Sequence, residues 1–207
     1  RRFDRLHGRS VTQSGVPDWL AAVVNYCSRC GSPLTHGPVP NETRDRLACA
    51  NCGFIAYLNP RLVVSTLPVT ADGKLVLIRR GIEPGYGMWG QPGGFLEIDE
   101  TAHEGAIRET LEETGYIVDP DEVIGVYTRP LAAIVVLVWE ARVVGGDPTT
   151  SGETLEVKSF AADEIPWPDL AFQTTTWAIR DWIRLRHPEV AHPPGTDDHE
   201  RWSAESA

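Results

Sequence analysis

"RETLEETG", residues 108–115, sets three glutamates within five positions of a stretch that otherwise reads as an ordinary helix. At 3.6 residues per turn, Glu109, Glu112 and Glu113 stand three and four apart and project from one narrow face. Such a face is either solvated or holds a cation. Exposed like charges at this spacing cost only about a few tenths of a kcal/mol, so the flanking sequence has to decide. Thr101 with Glu104 three residues later matches a capping box, and Gly115 supplies a left-handed stop, which predicts a helix over about 101–114. At 100° per residue, Ile107, Leu111 and Thr114 are expected to face the core. The glutamates then share the opposite side with Ala102, Gly105 and Ala106, whose small side chains would leave space above the carboxylates.

The stretch ahead of the helix favours the cation. "GMWGQPGGFLEIDE" (87–100) is a Pro-Gly-Gly loop that brings backbone carbonyls, Glu97, Asp99 and Glu100 to the same end of the helix. A merely wet face usually alternates its charges and needs no such loop. Magnesium and manganese prefer oxygen ligands and retain waters, so divalent ions bridging phosphates are the expectation.

Gly94, five residues, Glu100, seven residues, and then "RETLEETGY" (108–116) resembles the Nudix box, G-x5-E-x7-R-E-U-x-E-E-x-G-U. Thr110 and Tyr116 depart from it at two packing positions where the pattern prefers bulky aliphatics. The resemblance covers residues 62–186 and implies an α/β fold, the Nudix α/β/α sandwich with a mixed sheet. It implies hydrolysis of a nucleoside diphosphate linked to another moiety. Glu109, Glu112 and Glu113 would bind Mg2+ or Mn2+ with the Gly94 carbonyl, Glu100 would support the metal shell, and Arg108 would orient a neighbouring glutamate. As general base, Glu109 can act from the helix. Glu156 in "GETLEVKSF" occupies the segment that supplies an acid in relatives, with Glu153 the second choice there and a plain strand-edge role the alternative. Arg79 and Arg80, ending "KLVLIRR", either contact phosphate or are surface residues.

Cys27-x2-Cys30 and Cys49-x2-Cys52, separated by 18 residues, have the spacing of a four-cysteine zinc site. Gly31 and Gly53 follow the pairs and let both thiolates turn toward one ion. Four thiolates leave no open position, so a structural Zn2+ ribbon is expected over 25–60, a segment too short for its own core. Reduced or redox-active cysteines are the alternative. Arg29, Arg44, Arg46 and Arg61 also allow nucleic-acid binding, but without interleaved aromatics that reading is disfavoured.

The 207 residues, 42% hydrophobic, suffice for one core and an appendage. We expect an N-terminal extension over 1–24 with a short helix in "PDWLAAVV" (17–24), the ribbon over 25–60, the catalytic domain over 61–186 and a disordered tail over 187–207. Within the domain, "LVVSTLPVT", Asp72-Gly73 and "KLVLIR" read as a β-hairpin. Further strands are expected near 122–128, 133–144 and 155–160. The last helix, "TTTWAIRDWIRLR" (174–186), carries Ala178, Ile179, Trp182, Ile183 and Leu185 on its apolar side. A net charge of −10 argues against broad phosphate-backbone binding. No apolar run spans a bilayer and "RRFDRLHGRSVTQSG" lacks a secretory h-region, so a cytoplasmic protein without membrane partners is expected. A targeting segment upstream of Arg1 stays open.

A ribbon ahead of a Nudix domain is similar to two arrangements. The S-Q-P-W-P-F-P-x-S motif of NADH pyrophosphatases is absent from "VYTRPLAAIVVLVWEA" (126–141). "NPRLVV", "GMWGQPGGFLE" and "DEIPWPDLAF" (163–172) resemble a group that includes FAD and ADP-ribose pyrophosphatases. A small-molecule nucleotide, FAD, ADP-ribose or a related ADP compound, is therefore the expected substrate. NADH pyrophosphatase and a nucleotide-sensing regulator without catalysis are the alternatives, and a homodimer, common in similar proteins, is a further expectation from the resemblance.

Overall fold

In a computed structural model of the chain, which describes residues 23–190, each cysteine knuckle closes on a glycine. The Gly31 N–H donates to the Cys27 carbonyl at 2.8 Å, and the Gly53 N–H to that of Cys49 at 2.9 Å. Both glycines are left-handed, at φ 72° and 71°. Three short strands, β1 (Thr35–Gly37), β2 (Arg46–Ala48) and β3 (Ile55–Ala56), form an antiparallel sheet in that order. With residues 129–134 they make one of two units of the chain. The short helix expected over 17–24 and most of the expected tail lie outside the described residues.

The second unit, residues 62–128 and 135–190 as described, is built on the predicted hairpin. β4 (Arg61–Val69) and β5 (Leu75–Arg80) meet at Val69 and Leu75, and Gly73, at φ 80°, donates its N–H to the Thr70 carbonyl. Beyond that single pair the strands part. The loop that follows fills the opening: β6 (Trp89–Gly90) pairs with β5 and β7 (Gly93–Phe95) with β4. β8 (Tyr116–Arg129), β9 (Ile134–Gly146) and β10 (Thr154–Phe160) complete the sheet, whose order is β10-β5-β4-β9-β8. β8 begins directly after Gly115, six residues earlier than the expected start near 122, because Pro120 and its acidic neighbours broke the sequence pattern without breaking the strand.

Helix α1 (Ala102–Thr114) starts and stops as its sequence predicts. Thr101 accepts from the Glu104 N–H, the Glu104 carboxylate accepts from the Thr101 N–H, and Gly115 is left-handed at φ 76°. Its buried face overlaps the expected one at Thr114 and otherwise lies on the side of the small residues. Gly105, Ala106, Thr110 and Thr114 are buried, whereas Leu111 is 46% exposed. The cause is local: the Thr110 hydroxyl donates to the Ala106 carbonyl at 2.7 Å and that of Thr114 to the Thr110 carbonyl at 2.5 Å, so both threonines enter the interior with their polar atoms satisfied. Ala106 packs with Val64 and Trp139, flanked by Leu62, Leu96, Ala102 and Leu137. The small side chains thus bring helix and sheet together rather than opening space over the carboxylates.

The main core lies around β5, where Leu75, Val76, Leu77 and Ile78 are all buried, and along α2 (Gln173–Arg186), which buries Ala178, Ile179, Trp182 and Ile183. Full burial of each such aliphatic side chain contributes about 1.5–3 kcal/mol. Leu185, expected on this side, is 55% exposed, and Arg180 is buried instead.

Candidate active site

The parted hairpin places the Pro-Gly-Gly loop against α1. β7 registers Ser65 with Gly93 and Val64 with Gly94. A side chain at Gly93, whose φ is 155°, would strike the Val64 carbonyl and Ser65. This close approach lets the Gly93 N–H donate to Glu113 Oε2 at 2.8 Å. A side chain at Gly94 would collide with the Glu109 carboxylate, so bare backbone lies directly over that group. Gly94, Glu109 and Glu113 therefore meet at one place.

Arg108 ties the remaining acids to them. Its Nε and Nη2 donate to the two carboxylate oxygens of Glu100 at 2.9 and 2.6 Å, a fork-to-fork pair. Its Nη1 donates to Glu109 at 2.8 Å and to Glu112 at 3.2 Å. Glu112 is the solvent-facing member, its side chain 58% exposed against 15% for Glu109. Hydrogen bonds from Arg108 hold the Glu100 carboxyl down to about 2. Burial raises Glu109 above the usual carboxylate range and pushes Glu113 up to about 7, the Gly93 N–H opposing it and the charge of Glu109 reinforcing it. Two carboxylates are thus held where burial disfavours their charge, the environment in which a cation binds most favourably.

The two arginines of β5 diverge. Arg79 lies across from Glu156 in the β5–β10 register, 3.8 Å from its carboxylate, and donates to the Gly87 carbonyl at 2.9 Å. Arg80 donates to the Pro84 carbonyl at 3.0 Å and lies 4.9 Å from the Phe172 ring centre. The charge of Arg80 lowers the Glu113 carboxyl and that of Glu153 raises it, so both lie within electrostatic reach of this half-buried glutamate. The register shifts between Thr154 and Glu156, and such an irregularity re-aims side chains beside a site. Arg79 and Glu156 pair with one another, whereas Arg80 and Glu153 act on Glu113 through their charge.

The four cysteines meet in the other unit. Their sulfurs lie within 4.8 Å of one another, with Cys27 to Cys52 at 3.7 Å and Cys30 to Cys49 at 3.5 Å. Tetrahedral zinc with Zn–S bonds of about 2.3 Å requires sulfurs about 3.8 Å apart, so the donor set fits that ion. Hydrogen bonds from Ser32 lower the Cys30 thiol to about 6, which supplies one thiolate at neutral pH. Among the described residues the glutamates form no comparably tight cluster; Arg108 and the Gly93 N–H donate hydrogen bonds to them instead.

Glu113 carries a pH signature. A carboxyl raised from 4.5 to about 7 on folding binds a proton in the native state that the unfolded chain has released, so the metal-free protein loses stability as pH rises across that window. The loss attributable to this group is about 3 kcal/mol. Denaturant titrations between pH 5 and 8 are expected to show wild type falling relative to Glu113→Gln; parallel curves for the two proteins would remove the assignment.

Residues 59–183 match the NUDIX domain family and residues 25–58 the family described as Nudix N-terminal. An ADP-ribose pyrophosphatase of Methanocaldococcus jannaschii is 32% identical over 135 residues, covering 63% of this chain and 78% of that protein. A MutT-like protein of Streptomyces ambofaciens is 42% identical over 102 residues, covering 49% of this chain and 64% of its own length. The NAD-capped RNA hydrolase NudC of Stutzerimonas stutzeri is 27% identical over 186 residues, covering 88% of this chain and again 64% of that protein. The chain thus spans a little under two thirds of the latter two relatives. A NUDIX hydrolase from Nitrosomonas europaea, solved by crystallography, superposes with a TM-score of 0.75 at 34% identity, covering 80% of this chain and 94% of that one. With the box residues gathered where β7 meets α1 and the family match covering most of the chain, this protein belongs to the Nudix hydrolase family.

Proposed function

We propose that this chain hydrolyses the pyrophosphate bond of an ADP-containing compound, ADP-ribose or FAD foremost, releasing AMP and a phosphorylated product. The observation that carries it is the pair of half-buried carboxylates, Glu109 and Glu113, held against the Gly93-Gly94 backbone. Glu109, Glu112, Glu113 and the Gly94 carbonyl would hold Mg2+ or Mn2+, with Glu100 fixing Arg108 behind them. Bound there, the ion would screen the pyrophosphate, activate water and stabilise the leaving phosphate. Arg108 keeps Glu109 in place, and Arg80 offers a cation beside the cluster for a phosphate oxygen. For the proton of the attacking water, Glu109 is favoured, because it lies against the Gly94 backbone, whereas Glu156 pairs with Arg79. The cysteine quartet would hold a structural Zn2+.

The ADP preference rests on the likeness to the Methanocaldococcus enzyme named as an ADP-ribose pyrophosphatase. The likeness along 88% of the chain to a protein named as a NAD-capped RNA hydrolase supports a second reading, in which the pyrophosphate cleaved is that of a nicotinamide dinucleotide such as NADH. Purified protein with Mg2+ or Mn2+, offered ADP-ribose, FAD, NADH, ADP-sugars and nucleoside triphosphates, is expected to release AMP fastest from ADP-ribose or FAD. Glu112→Gln should reduce that rate by about a hundredfold or more. Fastest release from NADH would favour the second reading, and no product from any substrate would refute hydrolysis.

A further inference from the structure

Thr110 stands where the Nudix pattern prefers a bulky aliphatic, and it is fully buried. Its hydroxyl has one proton, which goes to the Ala106 carbonyl at 2.7 Å. The hydroxyl of Thr66, on β4 and equally buried, lies 2.6 Å away and must therefore donate to Thr110. The result is a directed relay from strand to helix, Thr66 to Thr110 to Ala106. Thr66 also faces the loop: its N–H donates to the Pro92 carbonyl at 3.2 Å, which accepts from the Ser65 hydroxyl at 2.7 Å as well. Pro92 immediately precedes Gly93, the donor to Glu113, and Thr110 immediately follows Glu109.

We infer that Thr66 and Thr110 are positioning residues: their hydroxyl pair sets the spacing between the Gly93-Gly94 loop and the glutamate helix, and thereby metal affinity. This inference rests on the metal-binding reading above. Two oxygens joined by a hydrogen bond stand 2.6 Å apart, whereas two methyl groups in contact require about 3.5–4.0 Å. Valine at both positions keeps shape and removes both polar groups together, which is far less costly than orphaning one buried hydroxyl. It nevertheless moves the helix outward by about 1 Å. Displacement of that size costs about a hundredfold where reacting groups must align.

Mn2+ binding, followed by the loss of the free-ion EPR signal, tests this alongside thermal melting. The double variant Thr66→Val/Thr110→Val is expected to bind Mn2+ about tenfold or more weakly while melting within about 4 °C of wild type. Thr66→Ser and Thr110→Ser keep the hydroxyls but lose a buried methyl. They should melt lower by about 2–4 °C and bind Mn2+ within about twofold of wild type. Affinity that follows melting temperature across all the variants, or full affinity in the double valine variant, would overturn the positioning role while leaving the metal site intact. If wild type binds no Mn2+, or Glu112→Gln binds as well as wild type, the metal reading fails and the inference fails with it.

Discussion

Glu109→Gln is expected to lower kcat/KM for the preferred ADP substrate by about a thousandfold or more while leaving the fold as stable as wild type, or slightly more so. General bases contribute about 10²–10⁴, and this carboxylate would also be a metal ligand, so the loss falls toward the upper part of that range. The stability half of the result follows from burial. The Glu109 side chain is 15% exposed and its carboxyl is raised by desolvation, meaning that its ionised form is disfavoured in the folded chain. An amide of the same shape relieves that cost. Arg108 is not orphaned, since its bidentate bond to Glu100 and its contact with Glu112 remain. Loss of rate at unchanged or raised melting temperature is the trade expected when a site is held in a conformation that favours function over stability. Steady-state kinetics with denaturant unfolding of the same preparations checks both halves. A rate within tenfold of wild type would remove Glu109 from the chemistry.

The parts of this site that were legible from sequence are those that local chemistry fixes. The capping box, the glycine stop at 115, the Asp72-Gly73 turn and the last helix follow from residue type at fixed offsets, and each occurs within a residue or two of its expected place. The box spacing likewise pointed to the residues that gather around Gly94. What periodicity missed depends on tertiary context. Thr110 stood outside the expected core face, yet like the correctly expected Thr114 it returns its proton to the helix backbone, and the interior then receives only a methyl group. Of the other residues expected in the core, Leu111 is exposed and Ile107 half-buried. The loop acids show the same limit: Glu153 and Glu156 are near-equivalent in sequence, and only the β5–β10 register identifies Glu156 as the partner of Arg79. The role of Gly93 was hidden for a further reason, since the hydrogen bond to Glu113 comes from a backbone N–H that every residue but proline possesses.

Removal of the zinc expected at the cysteine quartet should produce the largest structural change. The first unit has almost nothing else to hold it: its three strands are three, three and two residues long, and among its described residues only Cys27, Cys49 and Ala133 are buried hydrophobics. Two of those three are themselves metal ligands in this reading. The polar contacts that remain, such as Arg46 and Tyr57 on Glu42, are ion pairs and hydrogen bonds near the surface, individually worth about 1 kcal/mol or less. Against that, structural zinc in small peptides contributes about 10–16 kcal/mol of apparent binding free energy at neutral pH. Elemental analysis is therefore expected to find one zinc per chain in wild type and none in Cys49→Ser. Hydrogen exchange on the zinc-free protein should lose protection at the Gly31 and Gly53 amides and through residues 46–56. The amides of Leu75–Ile78 should keep theirs, because that strand is buried among apolar residues that need no ion. Retained protection at Gly31 and Gly53 after complete removal of the metal would show that the knuckles stand without it, and the ribbon would then need another source of stability.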